Sequence, residues 1–296
     1  MEAHASRTTS TGLERHIAIA EVLRYIQRRQ NEDGGYSFAQ GAESSAADTY
    51  YGIQALKHSG PQAEPKNVTK TIDFMTRLQH EDGSFDSINV AYYVVRTLDE
   101  LRAKPHRPFK DFVLSLQATH GGFGVLEADI ESPSELEATY LSLALLRLVE
   151  HYLSFAKTKD IILAGQNSNG SFGRSGYSRA GATYHALASL SLLGFDVRTL
   201  RDTEEWVRSC EIPSGGFRTN PESRDPYIIM DDIYFGVKCL DVLGKNCRFP
   251  SRTLNLIARF QNMNGGFRRS IFMGISTFES TWHAISACST ILARSE

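Results

Sequence analysis

Five carboxylates stand at the starts of apolar, helix-length runs: Asp48, Glu137, Asp231, Asp232 and Glu279. Glu137, Asp231 and Glu279 each precede an aromatic residue by three positions, namely Tyr140, Tyr234 and Trp282, and residues three apart share a helix face. Acids gathered at one level can hold and pass protons when their surroundings push their pKa values apart. Carboxylates in a first helical turn also complement the helix dipole without any chemistry. Asp231, Asp232 and Glu279 are the candidate catalytic residues, for acid–base or magnesium-linked roles. His185 and His283 directly follow the aromatic positions, where imidazole can carry a proton or fill a core.

Cations form a second group. Arg174, Arg179, Arg218, Arg224, Arg268 and Arg269 lie in three loops of the C-terminal half, whereas Glu43, Asp86, Glu127, Asp129, Glu131 and Glu135 lie at the matching places of the N-terminal half. Guanidinium groups beside helix N-termini suit a phosphate or diphosphate. The third group is an aromatic column of Tyr50, Tyr92, Tyr140, Tyr184, Tyr234 and Trp282, with Thr just before it at positions 49, 139, 183 and 281. Such a column either packs helices together or lines an apolar pocket.

The elements that must position these residues are announced by a repeated signal. Gln261 to Phe267 reads Gln-Asn-Met-Asn-Gly-Gly-Phe, and versions of it begin at Gln30, Gln79, Gln117, Gln166 and Glu211. A spacing of about 40–50 residues is that of helical-hairpin repeats. Ahead of each signal runs an amphipathic stretch, which the glycine can end in the left-handed conformation. The aromatic residue is then expected to fold back as a hydrophobic plug, and the Gln amide to bond carbonyls freed by the ending helix.

The periodicity predicts outer helices over 17–29, 67–78, 108–116, 155–164, 203–210 and 252–260. It predicts inner, less charged helices over 45–58, 89–101, 135–150, 181–193, 230–243 and 277–292. A linear stack of hairpins needs polar capping repeats, yet the first and last inner helices are as apolar as the middle ones. Six hairpins therefore close into an all-α ring, an α/α toroid, with the inner helices around the centre. Residues 1–12 read as a disordered lead-in and residues 13–296 as one toroid domain.

Composition excludes several classes. A net charge of -2 gives no global bias toward nucleic acid, and no run is apolar enough to span a bilayer. Four cysteines, Cys210, Cys239, Cys247 and Cys288, form no close metal-ligand pair and no signal peptide precedes them, so a reduced cytoplasmic setting is expected.

The six signals, each followed by a Thr-Tyr-type inner helix, resemble the repeats of protein prenyltransferase β-subunits and of squalene and terpene cyclases. The resemblance covers nearly everything after Leu13, and a single ring is closest in layout to the β-subunits. It implies an isoprenoid-handling enzyme that takes a prenyl diphosphate into an aromatic-lined cavity, the hydrocarbon lying on the Tyr/Trp column with His185 and His283. Arg179 falls where the family places a diphosphate-contacting His, and Arg218 and Arg224 echo a basic pair. The family transferases also work with a separate helical α-subunit, and magnesium is an expected companion of diphosphate.

Their zinc is held by Asp and Cys of the fifth inner helix and His of the sixth. Those positions fall here on Asp231 and its neighbours Ile229 and Ile233, and on Glu279, so zinc is not expected. In the cyclases the middle Asp of an Asp-x-Asp-Asp run protonates an alkene or epoxide. Ile229-Met230-Asp231-Asp232 keeps the last two carboxyls, which makes Asp231 the general acid of a cyclase-like alternative. A third reading is a non-catalytic toroid that binds lipid or protein after losing the metal site.

Overall fold

The computed structural model describes residues 12–60, 63–124, 135–173, 179–222 and 227–294. Six helices form an outer layer: α1 (Ile19–Gln27), α3 (Val68–Thr76), α5 (Lys110–Ser115), α7 (Ala156–Ala164), α9 (Arg201–Cys210) and α11 (Pro250–Ala258). They alternate along the chain with α2 (Ala46–Ser59), α4 (Ile88–Glu100), α6 (Glu135–Val149), α8 (Arg179–Leu192), α10 (Met230–Val242) and α12 (Phe278–Ala293). Each even-numbered helix packs on the next, and α12 packs on α2. The hairpins therefore close into the expected ring. The boundaries fall within a few residues of the periodic runs. The lead-in expected over 1–12 lies almost wholly outside the described residues.

The glycine signal does more than stop a helix. Gly34, Gly170 and Gly265 have φ of 91°, 86° and 92°, and a Cβ on any of them would sit 2.2 Å from backbone of the next outer helix, at Lys70, Asp202 and Glu21 respectively. Glycine thus permits both the left-handed turn and the close approach of the neighbouring hairpin. The Gln amide serves the same junction. Gln79 donates to the Gly83 and Arg107 carbonyls at 3.0 Å and accepts from the Arg107 amide at 2.9 Å. The expectation that it caps its own helix is corrected: Gln30, Gln79, Gln166 and Gln261 each tie their hairpin to the start of the next, because the helix end closes itself through short turn bonds.

The aromatic residue of each signal is buried as expected, Tyr36, Phe123, Phe172 and Phe267 all at 0% exposure. Its backbone amide donates to a threonine of the following inner helix, Thr49, Thr139, Thr183 and Thr281, at 3.0–3.1 Å. Those threonines are therefore the pins that fix the inner helices in register. A two-residue antiparallel ribbon, β1 (Phe267–Arg268) with β2 (Ser276–Thr277), extends the sixth junction.

Candidate functional site: an acid-ringed basin above an aromatic collar

The fixed register sets the aromatic column at one height. Ring centroids run Tyr50 to Tyr92 at 5.6 Å, Tyr92 to Tyr140 at 6.3 Å, Tyr140 to Tyr184 at 5.6 Å and Tyr184 to Tyr234 at 6.3 Å. Trp282, 9% exposed, completes the circle. The hydroxyls of Tyr140 and Tyr184 meet at 3.4 Å. Burial, then the neighbouring hydroxyls, pushes the Tyr50, Tyr140 and Tyr184 phenols well above their usual range, so all three stay neutral donors and acceptors. The aromatic column expected from the sequence is thus a ring of neighbouring side chains.

Above the collar Tyr51, Tyr93, Tyr140, Phe235, Glu137 and Asp231 are half-buried, and the surface they leave at the mouth is taken as the basin. Its floor is aromatic: Tyr51 and Tyr93 lie 5.7 Å apart, Phe235 and His283 5.8 Å, and Tyr51 and His283 6.1 Å. His185 stacks on Tyr140 at 5.4 Å and 18°, and burial pushes its imidazole down to about 3. It is a neutral wall.

The level three residues before the collar holds Asn89, Glu137, Asp231 and Glu279, on the helix ends where N-H groups point into the mouth. Asp231 faces His283, Oδ1 to Nδ1 at 3.3 Å, and its Oδ2 accepts from Arg269 Nε at 2.7 Å. Burial alone would raise its pKa, but the hydrogen bond and charge of His283 together with Arg269 hold the carboxyl below the usual range. Asp231 is thus ionised at neutral pH, against the expectation that it is the resting general acid. Glu137 is the opposite case: burial first, and then the nearby charge of Glu279, push it up to about 7. Glu279 accepts from the Tyr51 hydroxyl at 3.3 Å.

Asp232 leaves this group. Its side chain is 1% exposed and accepts from the Thr219 hydroxyl at 2.7 Å, because the residue after Asp231 on a helix turns by about 100°. The expected Asp231–Asp232 catalytic pair is therefore split between the basin and the helix interface.

The rim cations also divide. Arg268 donates to the carbonyls of Arg259, Ser270 and Ile271 and to Asn262, which makes it a loop staple. Arg269 is bound to Asp231 but 68% exposed. Arg179 is half-buried at the first residue of α8, and Arg218 is exposed. Arg174 and Arg224 lie outside the described residues. On the acidic side His80 and His120 contact Asp86 and Glu135, and Asp48 accepts from the Phe38 amide at 3.0 Å.

A zinc ion does not fit these residues. Both Asp231 oxygens are engaged, the Arg269 guanidinium occupies the cation's place beside them, and burial pushes the Cys210, Cys247 and Cys288 thiols up to about 12, far from thiolates.

Glu137 was placed at the acidic level by the sequence but given no catalytic role, and Tyr51, Tyr93 and Phe235 were not among the sequence candidates for the site. Their signal is a phase: each aromatic follows the collar residue by one, and Glu137 precedes its own by three.

The prenyltransferase alpha-alpha toroid domain model matches residues 5–87, 86–225 and 227–295, and the chain belongs to that family. It is 29% identical over 173 residues to drimenyl diphosphate synthase of Streptantibioticus cattleyicolor, a match covering 52% of this chain and 32% of that protein. It is 28% identical over 210 residues to the geranylgeranyl transferase type-1 subunit beta of Arabidopsis thaliana, covering 60% and 54%. The chain thus spans about a third to a half of these relatives. In fold it is similar to Candida albicans protein geranylgeranyltransferase-I complexed with GGPP, with a TM-score of 0.75, 19% identity and 93% and 91% of the two chains covered. It is also similar to a Scytonema type II terpene cyclase in complex with geranylgeranyl dihydroxybenzoate, with a TM-score of 0.65, 11% identity and 97% and 98% covered.

Proposed function

We propose that the toroid is an isoprenoid-handling enzyme that binds a prenyl diphosphate at the mouth and acts on it by proton transfer. One observation carries this reading: two carboxyls whose surroundings drive them in opposite directions stand over an aromatic floor, Glu137 pushed up to about 7 by burial and the Glu279 charge and Asp231 held below the usual carboxylate range by His283 and Arg269. Titratable groups whose environments drive their pKa values apart are the mark of an acid paired with a base.

In the reaction the Glu137 carboxyl gives its proton to a terminal alkene. The alkene's π pair forms the new C–H bond, a tertiary carbocation is left on the adjacent carbon, and Glu137 becomes a carboxylate. The faces of Tyr51, Tyr93 and Phe235 stabilise the cation, as aromatic faces do at about 0.5–2 kcal/mol each. Ring closure moves the cation along the chain, and loss of a proton to Asp231 ends the sequence. Arg179, Arg218 and Arg269 offer the diphosphate its charge-assisted donors. The similarity to drimenyl diphosphate synthase supports this chemistry, and the misfit to zinc counts against metal-activated thiol alkylation.

Incubation with farnesyl and geranylgeranyl diphosphate, with products read by mass spectrometry and NMR, tests it. The expected product is a cyclised diphosphate of unchanged mass, lost in Glu137→Gln with binding of the substrate retained. A chain that binds neither substrate, or a Glu137→Gln variant that still cyclises, refutes the reading. Prenyl transfer is the second reading, favoured by the likeness to the geranylgeranyl transferase subunit. Alkylation of a cysteine-terminated peptide, with or without a helical partner subunit, would support it instead.

A further inference from the structure

Where the ring closes, a cavity of about 500 Å³ lies between α1, the turn carrying Met263 and Asn264, and Lys66 ahead of α3. Arg24, Arg28, Arg29 and Lys66 line it, with Glu21 the one carboxylate among its described lining residues. A chain of net charge -2 thus gathers an excess of three positive charges around one space. Arg29 is fixed there. Its Nε donates to the Phe38 carbonyl at 3.1 Å, its Nη1 donates to the Tyr25 carbonyl at 3.3 Å, and its guanidinium lies 4.1 Å from the Tyr25 ring centre. Glu21 is taken by Arg24. Arg28 and Lys66 are exposed and have no ion pair with a described residue.

The edge of this cavity is apolar. Met263 is fully exposed, and Met273 and Ile275 are 77% and 66% exposed. The three stand together, because Asn262 Nδ2 donates to the Gly274 carbonyl at 3.2 Å and Asn264 Oδ1 accepts from Ser276 Oγ at 2.8 Å. Those bonds bring the turn bearing Met263 against the segment bearing Met273 and Ile275. Arg268 braces the same loop through the Ile271 carbonyl at 2.9 Å. A loop tied at three points therefore holds its largest apolar side chains out in water, beside uncompensated cations. Apolar side chains clustered on a surface in this way mark a docking site.

We propose that this face docks on an anionic lipid surface, headgroup phosphates entering the cavity while Met263, Met273 and Ile275 enter the acyl layer. The pairing of cations with adjacent apolar side chains matches the two layers of such a surface. A free phosphate would answer the cations and leave the apolar side chains in water; an apolar protein partner would do the reverse. No helix among the described residues is long and apolar enough to cross a membrane, so the attachment is peripheral. It does not depend on the chemistry assigned to the basin.

Co-sedimentation with vesicles of phosphatidylcholine mixed with phosphatidylglycerol, and of phosphatidylcholine alone, tests this. The chain is expected to bind the charged vesicles at least about tenfold more tightly than the neutral ones, and to be released by salt. Arg28→Glu combined with Lys66→Glu should weaken that binding about tenfold or more, since each cation at an anionic surface contributes about fivefold. Met263→Ser combined with Ile275→Ser should weaken it by about tenfold while leaving its salt dependence. Arg201→Glu, at an exposed cation of α9, should bind as wild type. All the substituted positions are exposed, so every variant should melt as wild type. No vesicle binding, equal binding to both vesicles, or binding that survives both double variants overturns the proposal. So does calorimetric binding of inorganic diphosphate without vesicle binding, which would make the cavity a site for a soluble anion. Self-association that the Met263→Ser/Ile275→Ser variant loses, again without vesicle binding, would give the face to a second copy of the chain and overturn it too.

Discussion

The Gln261 side chain grips the backbone of Ala18, 243 residues earlier in the chain, accepting from its amide at 3.0 Å and donating to its carbonyl at 3.2 Å. The same amide nitrogen donates to Gly265 at 2.9 Å. This is the bond by which the sixth hairpin meets the first, and it repeats the one that joins the second hairpin to the third. Gly265 completes the seam, since a Cβ there would lie 2.2 Å from the Glu21 carbonyl oxygen.

Gly265→Ala is accordingly expected to destabilise the ring by about 3 kcal/mol or more, from the left-handed backbone and from backbone overlap that no rotamer relieves. Gln261→Ala should cost about 0.5–1.5 kcal/mol, the net worth of a hydrogen bond whose backbone partners at Ala18 are exposed and can turn to water. Urea unfolding of both variants checks this, and Gly194→Ala, with nothing within 4 Å of the added carbon, supplies the strain-only control. Equal losses at positions 194 and 265 would show that the seam is not tight.

His185 makes a separate prediction about acid stability. Its folded pKa is pushed down to about 3 by burial, so the unfolded chain takes up a proton below about 6.5 that the folded chain refuses. Folding stability therefore falls as pH drops below 6.5, by up to about 1.4 kcal/mol per pH unit. His185→Phe, which preserves the stack on Tyr140, should match wild type at pH 8 and melt higher at pH 5. A His185→Phe melt that tracks wild type at both pH values would mean that the imidazole is hydrated.

The ring was legible because its signals are local and periodic: the glycine, the aromatic plug and the apolar face each repeat at fixed spacing. The role of Gln79 or Gln261 was not, since its partner lies on the next hairpin and only closure brings Arg107 or Ala18 within reach. The site divided in the same way. Heights on the helices follow from counting, so the collar and the Glu137, Asp231 and Glu279 level could be placed. Which of two adjacent acids faces inward depends on helix rotation, and Asp232 turned to Thr219. Protonation was further out of reach, because it depends on how deeply a carboxyl is buried, as Glu137 is with the Glu279 charge nearby, and on whether partners offset that burial, as His283 and Arg269 do for Asp231.

Asp231 is held ionised by partners that vanish on unfolding, so its folded pKa lies below the unfolded one. Its contribution to stability is present above pH 4 and is lost as pH falls through the folded pKa. Asp231→Asn should lower stability by about 1–3 kcal/mol at pH 7, where it strands Arg269 and His283. At pH 3 the difference should shrink. Thermal melts across that range decide it, and a penalty independent of pH would point to packing instead of charge.

Glu137 runs the other way, and it ties stability to activity. Its folded pKa of about 7 exceeds the ordinary value of 4.5, so the folded chain keeps a proton that the unfolded chain has lost. Stability from this residue is complete below about pH 4.5 and declines as pH rises, until above pH 7 the buried charge beside Glu279 costs on the order of 3 kcal/mol. Glu137→Gln cannot ionise. It should melt several degrees above wild type at pH 8 and close to wild type at pH 4.5. Turnover started by the Glu137 proton should fall in wild type as pH rises through about 7, the folded-state pKa. On one pH series the melting temperature should decline between about 4.5 and 7 and level off near the pH at which the rate is halved, if Glu137 is the donor. A rate profile whose midpoint lies away from the pH at which the melting decline levels off would leave Glu137 as a strained carboxyl and assign the proton to another group.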